Sequence, residues 1–415
     1  MRDIIPAADE KEYVIRGTKR FERRLSTMSS KRQMVVNEEV TSTAEQPTGF
    51  FSRYLCGKGS NNQRSNDHTI PPDENFHADC FVQLSRGKTA YRFIEPSTVS
   101  DDMADEIPVI VCLHGLTNSS YMWGDIVDLL SESEQGPQAR VLVFDFYGRG
   151  RSPWGGVSIT LDVLVTQTKE LLDCKQPNCR PSIHYLVESV LSPLTVSNLT
   201  ISRIAVLGLI TTSKVSVIGY DMGGAVATGF AAKFPTLCAS LVLIDPVGVK
   251  YNKLKHENML QKKYLGEYMI LNGKSSLINA QEREFFDVSP NSPHRKMINL
   301  QTAMVHWQIE NTPGYLGAIL STYRLFPLRD MDELFTAVGR HPRPVMIMWG
   351  DKDEVCPYKK SVRKMEVSFP YSCIVDVKDC GHNSVFEKFD EVVTELLSFH
   401  KEIFTDEGDE FDLDI

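Results

Sequence analysis

Asp221 stands between two glycines in the run Gly219-Tyr220-Asp221-Met222-Gly223. The β-branched stretch Val215 to Ile218 precedes it, and Ala225 to Phe234 has helical composition. The spacing predicts strand, sharp turn, helix. A residue at the tip of such a turn is forced into a strained backbone, and glycine two places to either side relieves the crowding. The tip side chain then stands above the sheet at a helix N-terminus, where the dipole favours negative charge. Three further signals lie at the ends of other apolar runs. His114-Gly115-Leu116 turns a backbone N–H, that of Leu116, toward the tip, and with the N–H of Met222 this makes a two-donor oxyanion hole. Asp353, in Gly350-Asp351-Lys352-Asp353, is the expected carboxylate for orienting a histidine, with Asp245 as its rival. His382, in Cys380-Gly381-His382-Asn383, is that histidine. His114 reads as structural and Asp351 as a turn carboxylate.

A carboxylate nucleophile narrows the chemistry. Attack on an ester carbonyl gives a mixed anhydride and must expel an alkoxide, a much poorer leaving group than the carboxylate itself, so the adduct collapses backwards. Attack on a saturated carbon forms an alkyl ester, which water activated by His382 then hydrolyses. Asp221 therefore points to an electrophilic sp³ carbon, such as that of an epoxide.

These residues must be held by a scaffold. Phe81 to Leu84 and Thr89 to Ile94, joined through Ser85-Arg-Gly-Lys, read as a hairpin. Val109 to Leu113, Val141 to Phe146, Val215 to Ile218, Leu241 to Ile244, Val345 to Met348 and Cys373 to Val377 are apolar runs without alternation, as in strands buried on both faces. Helical stretches separate them at Met122 to Leu130, Leu161 to Leu172, Ala225 to Phe234, Lys359 to Val367 and Asp390 to Phe404. The expected fold class is α/β: a doubly wound, mostly parallel sheet with an inserted helical lid. The expected organisation is a poorly folded arm over 1–75, a core over 76–247 and 344–404, a helical lid over 248–343, and an acidic tail over 405–415. Lys175 to Ser213 reads as a surface excursion.

The 415 residues carry a net charge of −9, which argues against nucleic acid as a partner, because phosphate binding needs a concentrated basic face. The nine cysteines are scattered, as suits reduced thiols in the cytoplasm. No apolar run approaches the roughly 20 residues of an integral membrane segment, and no secretory leader is evident. No metal and no organic cofactor is implied, since this chemistry uses side chains and amides alone. The sequence does not speak to protein partners.

His114-Gly115-Leu116, Gly148-Arg149-Gly150-Arg151-Ser152, Gly219 to Gly224, Asp245-Pro246, Gly350 to Asp353 and Gly381-His382 together resemble the α/β-hydrolase superfamily, over Phe81 to about Phe404. The order nucleophile, acid, histidine is the one that family uses. Asp at the tip is similar to the epoxide hydrolases and haloalkane dehalogenases. Dehalogenases commonly bind halide through a Trp after the nucleophile and a donor after His-Gly. Here Met222 and Leu116 stand there, leaving Trp123, Trp154 or Trp307 to enter the pocket. Epoxide hydrolases commonly carry His-Gly-x-Pro, where this chain has Thr117, and protonate the epoxide oxygen with lid tyrosines. Of the tyrosines in 248–343, Tyr315 and Tyr323, about two helical turns apart, are the candidates the resemblance implies. Three functions stay open: an Asp221-nucleophile hydrolase acting on an epoxide or other small apolar electrophile; an esterase or lipid hydrolase that activates water directly; and a binding protein on the same scaffold.

Overall fold

A computed structural model describes residues 80–97, 107–133, 136–174, 214–250 and 255–405. The arm 1–75, the whole of the excursion Lys175 to Ser213 and nearly all of the acidic tail lie outside the described residues. Eight strands form one sheet: β1 (Cys80–Leu84), β2 (Gly87–Ile94), β3 (Val109–Leu113), β4 (Arg140–Phe144), β5 (Val215–Tyr220), β6 (Cys238–Ile244), β7 (Val345–Gly350) and β8 (Cys373–Val377). Their spatial order is β1-β2-β4-β3-β5-β6-β7-β8. The hairpin and its junction with β4 are antiparallel, and every pairing from β4 to β8 is parallel.

Both faces of the sheet are covered, which is why the central runs carry no polar alternation. Val109, Val111 and Leu113 of β3 point into one apolar layer, under the helices Leu161–Leu172, Met222–Lys233 and Tyr358–Ser368. Ile110 and Cys112 point into the other, under the helices Gly124–Glu132 and Phe389–Thr405. Between β6 and β7 the chain leaves the sheet for six helices: Lys255–Leu260, Leu265–Asn272, Lys274–Ala280, Arg295–Asn311, Tyr315–Leu325 and Asp332–Gly339. The last packs back on the sheet layer through Phe335 and Val338.

The turn after β5 fixes the geometry of everything above it. Asp221 sits at φ 50°, ψ −116°, in a region side-chain-bearing residues rarely occupy. A Cβ on Gly219 would lie 2.3 Å from the Gly223 carbonyl oxygen, and one on Gly223 would lie 2.1 Å from that of Leu113. The helix starts at Met222 with two glycines in its first turn, and at Gly223 no side chain fits because the backbone at the end of β3 lies against it. Gly223→Ala is expected to destabilise the fold by about 3 kcal/mol, since the obstacle is backbone and cannot rotate away. Urea unfolding measures this, and an unchanged midpoint would contradict it.

Candidate active site

The ends of β3, β5, β6, β7 and β8 bring Leu116, Asp221, Asp245, Asp353 and His382 to one edge of the sheet. His382 Nδ1 is 2.8 Å from Asp353 Oδ2, and His382 Nε2 is 3.4 Å from Asp221 Oδ1. The remaining oxygen, Asp221 Oδ2, accepts the Leu116 N–H at 2.7 Å. A Cβ on Gly115 would lie 2.9 Å from that oxygen, so the glycine of the His-Gly pair is what lets the carboxylate reach the amide. Met222 opens the helix, and its N–H makes no capping bond to the Asp221 side chain. Asp221, His382 and Asp353 are all buried.

Asp353 is held by three N–H donors. The amides of Val355 and Cys356 reach Oδ1 at 2.8 Å each, and Trp349 Nε1 reaches Oδ2 at 3.0 Å. Burial opposes charge on His382, yet the Asp353 charge and the hydrogen bonds to Asp221 and Asp353 outweigh it, and the imidazole is held well above its ordinary value. Tyr220, beside Asp221, donates to the Asn383 Oδ1 at 2.7 Å and to the His382 carbonyl at 3.2 Å, bracing the histidine loop.

Asp245 does not touch the His382 ring. It accepts the Gly350 N–H at 2.9 Å and the Ser384 N–H at 3.2 Å, fastening the loops after β7 and β8. Burial, reinforced by the Asp353 charge, holds its carboxyl far above the ordinary carboxylate range. A carboxyl raised in this way contributes most while protonated. Its contribution is lost as pH rises from about 4, the unfolded value, through the folded one. Relative to the Asp245→Asn variant, the native protein is therefore expected to lose stability as pH climbs from about 4 past neutrality. The lost acceptor shifts the variant's stability by roughly 1–3 kcal/mol at every pH, so the difference in slope is the diagnostic. Parallel slopes in chemical denaturation would sink the assignment.

His114 donates from Nδ1 to the Gly115 carbonyl at 2.8 Å and accepts the Phe146 N–H on Nε2 at 3.0 Å. Burial pushes it down to about 3, so it serves as a neutral strut for the turn before Leu116. Arg149 is fully buried. It donates from Nε to the Leu116 carbonyl at 2.7 Å and from an Nη to Thr322 Oγ1 at 3.0 Å, fixing the same turn from its other side. Burial pushes its guanidinium down to about 10, against the opposing pull of Tyr315, Tyr323 and Asp221.

Tyr315 is buried, and its hydroxyl donates to the Thr117 carbonyl at 3.0 Å. Tyr323 is partly buried beside it, against the apolar cluster of Leu260, Ile270 and Ile319. Trp123 lies fully inside the apolar layer with Ile126, Ile298 and Met304. Ligand atoms of Asp353, Cys356 and His382 come within 4.8 Å of one another, a set that could hold a metal ion among the described residues. Two of the three, however, are bonded to each other, and Asp353 is further engaged by backbone amides. This donor set fits a charge relay better than a metal.

Glu284 and Glu387 carried no signal in the sequence. Glu387 accepts the Gly381 N–H at 2.9 Å and the Phe286 N–H at 3.0 Å, and burial pushes it up to about 7. Glu284 closes the 3-10 turn Gln281–Glu284 of the insertion, and its carbonyl accepts the His382 N–H at 2.7 Å. The insertion and the histidine loop are thus stitched together on both sides of His382.

A family model described as "Alpha/beta hydrolase family" matches residues 110–395. A Bacillus subtilis protein provisionally named 2-succinyl-6-hydroxy-2,4-cyclohexadiene-1-carboxylate synthase is 24% identical over 318 residues, covering 72% of this chain and 97% of its own. Lipase 1 of Psychrobacter immobilis is 22% identical over 190 residues, covering 45% of this chain and 56% of the lipase. Among solved structures, an esterase from Exiguobacterium antarcticum superposes with a TM-score of 0.55 at 18% identity, over 78% of this chain and 99% of the esterase.

Proposed function

The chain belongs to the alpha/beta hydrolase family and is a hydrolase, and from that premise we propose that it works through an aspartate nucleophile, on an epoxide or other small apolar electrophile. The observation that carries this reading is the placement of the Asp221 carboxylate. One oxygen rests on the Leu116 N–H, and the other faces His382, which Asp353 backs. Asp221 Oδ1 attacks a saturated carbon of the substrate and forms an alkyl ester, while the C–O bond of the ring breaks. The second step is hydrolysis. Forming the ester removes the Asp221 hydrogen bond to His382, one of the influences that hold the imidazole high. The imidazole then releases its proton to solvent, to be taken back when the Asp221 carboxylate is restored, and acts as a free base in between. Nε2 takes a proton from water, hydroxide adds to the Asp221 carbonyl carbon, and the Leu116 N–H stabilises the oxyanion. Collapse expels the alkoxide, which recovers the proton from His382. The insertion between β6 and β7 is the lid of this reading. It rises from the strand ends where ligands bind in open α/β sheets. The pocket takes a small apolar substrate.

Single-turnover reactions of epoxides and aryl esters in H₂¹⁸O, with mass spectrometry of the peptide containing Asp221, test the proposal. Label in the Asp221 carboxylate after epoxide turnover is expected. A second reading, direct water attack on a carboxylic ester, draws on the names of the lipase and esterase relatives. It predicts ester turnover without label in Asp221, surviving in the Asp221→Ser variant.

A further inference from the structure

The nucleophilic reading leaves one requirement open. A ring oxygen that departs from carbon needs a proton, and a candidate donor lies in the insertion. Tyr315 is a poor one, because its hydroxyl is already given to the Thr117 carbonyl. Glu284 is placed differently. Its carboxyl accepts Gln301 Nε2 at 3.1 Å and Asn383 Nδ2 at 3.2 Å, both on Oε2. Its own backbone carbonyl holds the His382 and Asn383 amides at 2.7 and 3.3 Å, so the residue is fastened directly to the catalytic loop. Gln301 in turn bonds Gln281, which accepts Thr117 Oγ1. An amide lattice thus ties Glu284 to the turn carrying Leu116. Three buried tyrosines lie close enough for the Glu284 charge to act on them: Tyr121, Tyr220 and Tyr315. The hydroxyls of Tyr220 and Tyr315 are engaged. That of Tyr121 is buried and has no hydrogen-bond partner among the described residues.

We propose that Glu284 is the acid of the site: it protonates the substrate oxygen that leaves carbon when Asp221 attacks, with the Tyr121 hydroxyl as a second donor to that oxygen. The inference rests on the aspartate-nucleophile reading. The C–O bond breaks, its electron pair stays on oxygen, and that oxygen takes the Glu284 proton. A hydroxyalkyl ester remains on Asp221. Hydrolysis then adds hydroxide from water to the Asp221 carbonyl carbon. The other water proton passes through His382 to the departing alkoxide. Asp221 is left as a carboxylic acid whose proton restores Glu284, and the sum is epoxide plus water giving diol. The charges facing Glu284 fit the role. Burial, with a contribution from Asp221 and against the pull of His382, pushes its carboxyl up to about 7, so it is protonated while Asp221 serves as the anion.

The test separates the two chemical steps in rapid-quench experiments on the full chain with styrene oxide and a panel of aliphatic epoxides. Alkylation is read as mass added to the intact protein, and hydrolysis as its decay. In the wild type the alkylation rate is expected to fall tenfold per pH unit above about 7, the range of the Glu284 carboxyl. Glu284→Gln keeps an acceptor for Gln301 and Asn383. It is expected to slow alkylation by roughly 10²–10³-fold, to abolish that pH limb, and to leave decay of the ester unchanged. Glu284→Asp should retain the limb. Tyr121→Phe should slow alkylation about tenfold with the limb intact. Loss of both steps together in Glu284→Gln, or a limb that survives it, overturns the acid while label in Asp221 keeps the nucleophile. Absence of any Asp221 adduct from the whole panel overturns both.

Discussion

Asp221→Ala is expected to lower turnover by roughly four to six orders of magnitude, the scale seen when a nucleophile acting as part of a relay is removed. Leu116, His382 and Asp353 act on this carboxylate or on the ester it forms. Leu116 positions one oxygen, His382 faces the other, and Asp353 backs the histidine. None of them can replace the bond to carbon. The variant should fold, because the surrounding structure already holds a Cβ-bearing residue at this strained φ and the side chain caps no helix amide. Circular dichroism and the thermal midpoint check folding, and initial rates with the best epoxide of the panel check activity. Turnover within tenfold of wild type in a folded variant would remove Asp221 from the mechanism.

His382→Ala is expected to divide the reaction. Attack by Asp221 does not need the imidazole, whereas ester hydrolysis does. Steady-state turnover should fall by roughly 10²–10⁴-fold, the contribution of a positioned base. The first turnover should still occur, leaving a stable adduct equal to the substrate mass on Asp221. Intact-mass spectrometry after minutes of reaction reads this directly. If His382→Ala blocks adduct formation as completely as Asp221→Ala does, the histidine acts in the first step and the two-step division fails. The pair of variants is informative because they fail differently: one leaves no adduct, the other leaves nothing but adduct.

Much of this architecture was legible in the residues, for physical reasons that vary by element. Val109–Leu113 and Cys373–Val377 were read at their observed bounds, and β5 was found though its end was placed short of Tyr220. Burial on both faces writes a strand as an unbroken apolar run. The start of the helix after Asp221 was placed three residues late. Met222-Gly223-Gly224 has poor helix propensity, and the glycine at 223 answers to the end of β3 lying against the helix's first turn, which a local reading cannot contain. Spatial order is equally absent from local sequence, since β4 inserts between β2 and β3. At the site, Asp221, Leu116, Asp353 and His382 were selected by lying at strand ends, and the structure brings them within contact. Asp245 competed because it too ends a strand, and only the hydrogen bonds to Gly350 and Ser384 distinguish its place. Glu284 was invisible. It lies in Gln281-Glu282-Arg283-Glu284, which reads as a solvated face, and its neighbour Glu282 does pair with Arg295 at the surface. How far one acid in a charged run is covered is decided by what folds over it.

The seam between the insertion and the histidine loop has a consequence for how substrate gets in. His382 and Asn383 give their amides to the Glu284 carbonyl, and Glu387 grips Phe286. Swinging residues 284–286 aside would break these bonds and unseat the base together with the doorway. On the proposed reading, that segment would be a doorpost. The door is better sought among the helices farther out, where Tyr264, Tyr268 and Leu271 stand in solvent. On the proposed reading, opening there would leave the relay assembled, so that the traffic of substrate and product and the alignment of the catalytic groups would run on separate hinges.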